Sequence, residues 1–289
     1  MLLFQINPCW FAPGMVWDSY WRPGSFDPPY KMDRPLSEFL ATDTRGIRYP
    51  ITLAGGVVST LGLEGDFRPF RETPFWIPTR EMTFGAIRAL EPLDTTRPVD
   101  DPGSFAAFGP QGFYFGESED LWKKSFILCS ALDTLPRHTP ILISAFDASP
   151  HACHHIANKR VLEVIKSVCL DPSRTLVLQG FRGSVATVEA WRAFPTRTFF
   201  SISGSVAFFS NAEREGLRAI PRTQLLVESS SPSYPLGTSH PMSPIFLGEV
   251  IALVAEVRGD SFEEVARYTF INGLSAFQAL MCHNRPFAN

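Results

Sequence analysis

The chain is short of charge. Asp, Glu, Lys and Arg make up 19% of its 289 residues, against about 25% in an average globular protein. The two signs nearly cancel, leaving a net charge of −3. With no basic excess to neutralise a phosphate backbone, bulk electrostatics give no support to direct nucleic-acid binding. Cysteine is equally uninformative as a framework. Cys9, Cys129, Cys153, Cys169 and Cys282 are scattered, odd in number and without CxxC spacing, which reads as single thiols in a reducing compartment. No apolar run reaches the roughly 18 residues of a spanning helix. The first basic residue is Arg22, so the N-terminus carries neither the charged leader of a secretory signal nor a basic, amphipathic presequence. A Gly-x-Ser-x-Gly elbow, a Walker motif and a dinucleotide fingerprint are all missing.

What is present is apolar and aromatic. Hydrophobic residues make up 45% of the chain and aromatic residues 13%, with 25 Phe, enough for a sizeable core and for further burial against a partner. From Thr139 onward the pattern alternates. Ile141–Ser144, Thr175–Gln179, Thr198–Ser203 and Gln224–Glu228 read as short apolar strands. Between them Ile156, Val161, Val164, Ile165 and Val168 form a helical face, Val185, Val188 and Trp191 a short helix stopped before Pro195, and Ala212–Ala219 a helix ended by Pro221. Ser243 and Pro244 read as the start of a helix running to Arg258, and Ser261 with Glu264 as the capping box of the last one. Continuous apolar strands separated by amphipathic helices mean parallel βαβ units. Upstream, Ser118–Leu135 reads as a helix with Glu119 and Asp120 in its first turn. Residues 10–116 are dense in Pro, Gly and aromatics, which oppose long helices and central strands. They read as the first part of the same domain carrying long irregular loops. Trp10, Trp17, Tyr20, Trp21 and Tyr30 either form a docking surface or fold back over the domain they belong to.

Three clusters invite chemistry. His151, Cys153, His154 and His155 have the residue types of a zinc or copper site, but no second ligand pair accompanies them, so a polar loop and helix start is the better reading. Gly180-Phe181-Arg182-Gly183-Ser184 has the makings of an anion site, with helix N-terminal amides assisted by Arg182, Gly183 and Ser184; it is also what a tight turn with a helix cap looks like. Glu228 and His240 are a candidate acid–base pair, although a strand-end carboxylate with local hydrogen bonds is the simpler account.

Four segments carry a family likeness: Pro140-Ile141-Leu142-Ile143-Ser144-Ala145-Phe146-Asp147-Ala148, Gln179-Gly180-Phe181-Arg182-Gly183-Ser184, Leu225-Leu226-Val227-Glu228-Ser229-Ser230, and Thr269-Phe270-Ile271-Asn272. In order and rough spacing, best between Gly103 and Phe277, they resemble the TatD-like deoxyribonucleases of the amidohydrolase superfamily. The resemblance implies a TIM-type (β/α)₈ barrel as one domain over 1–289, irregular over 10–116 and regular over 117–280. It also implies where the metal ligands would stand. Ser144 and Gln179 occupy the family's histidine positions. Ser230 occupies that of the aspartate in Glu-Thr-Asp-Ala-Pro-Tyr, and Pro110, within Gly109-Pro110-Gln111-Gly112, that of a bridging glutamate. Asn7 and Cys9 fall at the opening His-x-His, on a shorter match. None of these side chains is a good ligand for a hard divalent cation.

The sequence therefore leads to the expectation of a catalytically inactive TatD-like pseudoenzyme with no metal and no cofactor. It would serve as a structural or interaction subunit of a larger intracellular protein assembly, for instance a mitochondrial one. The alternatives left open are a divergent metal-dependent hydrolase or nuclease with substitute ligands, and a module binding a phosphorylated small molecule near Arg182.

Overall fold

The computed structural model describes residues 2–11, 48–61, 76–83, 111–115, 140–145, 154–167, 171–229 and 246–283. Eight strands form one parallel sheet in the order of the chain: β1 (Leu2–Phe11), β2 (Thr52–Leu61), β3 (Trp76–Thr83), β4 (Gln111–Phe115), β5 (Ile141–Ala145), β6 (Thr175–Gln179), β7 (Arg197–Ile202) and β8 (Leu225–Val227). β1 and β8 lie against each other, which closes the sheet into a barrel of the TIM type. The described helices are α1 (His154–Ser167), α2 (Val185–Arg192), α3 (Asn211–Ala219), α4 (Leu247–Arg258) and α5 (Phe262–His283), with a 3₁₀ turn at Gly204–Phe208. Among the described residues no helix is long and apolar enough to cross a membrane.

Alternation along the strands sorts the side chains into two cores. Ile141, Ile143, Leu176, Leu178, Phe200, Ile202, Leu225 and Val227 pack with apolar side chains of the helices, so these strand positions face outward. Leu142, Val177, Phe199 and Leu226 form a second cluster with Ala276 and Phe277, which is the barrel interior. Leu142, Val177 and Phe199 are successive Cα partners across β5, β6 and β7, part of the side chains that fill such a barrel. Ala276 and Phe277 reach this cluster from the N-terminal end. There the amide of Asn272 donates to the carbonyls of Arg222 (2.7 Å) and Leu225 (2.8 Å), and Arg197 at the start of β7 donates to Ser275. The last helix thus plugs the barrel floor.

The region read as irregular loops contains three regular strands, β2, β3 and β4. Proline stops neither β1 nor β3. Pro8 sits where the β1–β2 register slips between Ile6 and Cys9, a bulge that needs no ladder donor. Pro78 stands opposite Val58 inside β3, where a single missing N–H costs one bond of a ladder that the neighbouring residues continue. The helix expected over Ser118–Leu135 and the cap expected at Ser243 and Pro244 lie outside the described residues.

A lattice of polar contacts fixes the helices. Gly259 ends α4 in the left-handed region (φ 72°), its N–H and that of Asp260 both donating to Ala255 O, a helix end that glycine favours. Arg258 donates to the carbonyls of Leu217 (2.6 Å) and Ile220 (2.8 Å) at the end of α3. Its Nε donates to Asp260, which also receives Arg222 and, at 3.1 Å, the hydroxyl of Tyr268. Burial pushes the Asp260 carboxyl up, but the hydrogen bonds from Arg258, Arg222 and Tyr268 outweigh it and hold the group below the ordinary carboxylate range. One carboxylate thereby ties together α3, α4, α5 and the approach to β8.

Candidate functional site at the barrel mouth

In a parallel barrel the chemistry sits at the C-terminal ends of the strands. There the register sets residues of β3 to β6 level with one another. Thr83 pairs with Tyr114, Tyr114 with Ser144, and Ser144 with Gln179. β7 continues the row at Ser201, whose carbonyl accepts from Phe181 N (2.9 Å); on β8 Ser201 is level with Leu226, and Glu228 lies two residues beyond, its N–H donating to Ile202 O (2.9 Å). Gln179, Ser201 and Glu228 are buried at 4%, 0% and 2% exposure. They project from the strand face opposite Leu178, Phe200, Ile202 and Val227, which pack outward among the helices. The carboxylate of Glu228 comes close to β6. A methyl group added at Gly180 would sit 3.8 Å from its Oε1. Gly180 itself has φ 55°, a conformation that glycine reaches at little cost and that lets the chain turn abruptly off the strand.

The turn that follows is tightly held. Arg182 Nε donates to Glu213 Oε1 (2.8 Å) and its Nη2 to Oε2 (3.2 Å), a bidentate pair at 19% and 15% exposure. The guanidinium also lies over the Phe209 ring at 5.5 Å, and Asn158 on α1 donates to the Arg182 carbonyl. Glu213 in turn closes a capping box with Ser210 at the start of α3. Burial pushes the Glu213 carboxyl up; the hydrogen bonds from Arg182 and Ser210, with the charge of Arg182, override this and leave it lowered. Ser184 caps α2, its Oγ accepting from Thr187 N. Behind the loop α3 comes into backbone contact with it, so that a methyl group at Gly216 would lie 1.9 Å from Gly183 O. Two donors of Arg182 and the Ser184 hydroxyl thus serve the turn and its neighbour.

The other candidates fall as follows. Asn7 lies in the stretch of β1 where the register slips, and Cys9 pairs with Ser59 on β2. Pro110 and Ser230 lie outside the described residues, as do Asp147, His151, Cys153 and His240. On β4 the residue level with Ser144 is Tyr114, whereas Pro110 immediately precedes the strand. His154 and His155 open α1. Thr83, Tyr114 and Ser201 were not singled out in the sequence. The alternation of Phe199, Ser201 and Ser203 with outward apolar residues was a local sign for the last of them, but nothing local signals the register that assembles the row.

A pair of divalent cations held about 3.5–4 Å apart needs several carboxylates or imidazoles to bind it and to acidify the bridging water. Gln179, Ser201 and Glu228, buried at these strand ends, offer one carboxamide, one hydroxyl and one carboxylate, a donor set that does not fit such a pair. Among the described residues no three His, Cys, Asp or Glu side chains come together.

Residues 149–278 match the family model described as TatD related DNase. No curated protein matches. Among solved structures, a TatD homolog from Escherichia coli superposes with a TM-score of 0.58 at 17% identity, over 76% of this chain and 86% of that one. A TatD family hydrolase from Entamoeba histolytica gives 0.55 at 12% identity, over 78% and 84%. A dihydroorotase from Campylobacter jejuni gives 0.51 at 9% identity, over 100% and 84%. The continuous parallel sheet and these superpositions give the chain a TIM-type barrel fold shared with TatD homologues and a dihydroorotase, and its second half carries the sequence pattern of the TatD related DNase model.

Proposed function

We propose that the chain is a TatD-like pseudoenzyme that serves as a structural or interaction subunit of a larger protein assembly, with a mitochondrial complex as one host of that kind. The observation that carries the reading is the row Thr83, Tyr114, Ser144, Gln179 and Ser201 at the strand ends, with Glu228 just beyond it. The scaffold that would place metal ligands is kept, while most positions in the row carry neutral groups. Neutral hydroxyls and amides neither hold two dications nor lower the pKa of bound water enough to make hydroxide at neutral pH. The locked turn at Arg182, Gly183 and Ser184 is read in the same way, as a brace for the β6–α3 side of the barrel, since Glu213 receives two donors of Arg182 and the Ser184 hydroxyl caps α2. Exposed apolar side chains, Phe208 near the mouth and Ile271 and Leu274 on α5, agree with a role in association.

The competing reading, a hydrolase with substitute ligands, is favoured by one observation, the buried carboxylate of Glu228 beside Gly180. Two experiments divide the readings. The purified chain, supplied in turn with Mg²⁺, Mn²⁺ and Zn²⁺, is assayed on single- and double-stranded DNA and on a simple phosphodiester. Affinity capture from the source, followed by native size-exclusion, measures the particle in which the chain resides. The proposal expects no metal-dependent cleavage and a large particle with reproducible partners. Metal-dependent turnover that is lost in Glu228→Gln, from a chain that elutes alone, would establish the hydrolase instead.

A further inference from the structure

We draw no further inference here: the strongest candidate, the exposed apolar face of α5 at Ile271 and Leu274 beneath the barrel floor, has nothing in the structure to show what covers it.

Discussion

Gly216 offers a test in which two effects of opposite sign compete. It stands in the interior of α3, where alanine is favoured over glycine by about 1 kcal/mol. On propensity alone Gly216→Ala stabilises the protein. The added methyl, however, would lie 1.9 Å from Gly183 O, 2.9 Å from Gly183 C and 3.0 Å from Ser184 C. An unstrained contact needs about 3.5 Å, so helix and loop must separate by roughly 1.6 Å. These are backbone atoms, and no rotamer change relieves them. The loop is also pinned by the Arg182–Glu213 pair and by Asn158. Overpacking costs about 1–3 kcal/mol and sometimes more, and a rigid backbone partner places this case at the upper end. The clash wins, and the net loss is about 2 kcal/mol. For a domain of this size that lowers Tm by roughly 4 °C. Thermal and guanidinium unfolding of the wild type and Gly216→Ala measure it directly. A Tm equal to or above that of the wild type would refute the close approach of α3 to the β6–α2 loop.

Other perturbations probe the remaining supports. Asp260→Ala leaves Arg258 buried with its carboxylate partner gone and costs about 3 kcal/mol at neutral pH. Because the folded carboxyl is held low, its contribution is present above the unfolded value near 4 and is lost as pH falls through the folded one; the Tm gap between wild type and variant should close on acidification, and a gap independent of pH between 7 and 3 would contradict this. Arg182→Ala removes the partner of the largely buried Glu213 and costs about 1–3 kcal/mol; phosphate at matched ionic strength leaves the wild-type Tm unchanged, and a phosphate-specific rise that Arg182→Ala abolishes would instead reveal an anion site. Phe277→Ala empties part of the barrel floor, a loss of about 3–5 kcal/mol in guanidinium unfolding; a loss below about 1 kcal/mol would mean that α5 does not plug the barrel.

The second half of the barrel was readable because its signals are local. Thr175–Gln179 is bounded by turn residues and coincides with β6. Ser261 and Glu264 exchange the two hydrogen bonds of a capping box, and α4 ends at Arg258 as its periodicity implies. The first half was harder, since Pro8 and Pro78 oppose strands on propensity, and a register slip against β2 admits the one while the continuing β2 ladder admits the other. At the mouth, Ser144 and Gln179 were read from family spacing, and the register sets them side by side. Tyr114 beside Ser144 was not readable, because register is a tertiary property. The lock on Arg182 was half readable. Ser210 and Glu213 have capping-box spacing, but that Glu213 also reaches a loop 31 residues earlier in the chain depends on how α3 packs against α2.

Metal content tests the central claim most directly. The purified protein is incubated with Zn²⁺, Mn²⁺ or Mg²⁺, dialysed, and analysed for bound metal per chain, with Glu228→Gln in parallel. With Glu228 as the one carboxylate buried beside Gln179 and Ser201 at the strand ends, the account predicts substoichiometric metal, the same in both proteins. A stoichiometric pair of ions in the wild type that disappears in Glu228→Gln would contradict the account.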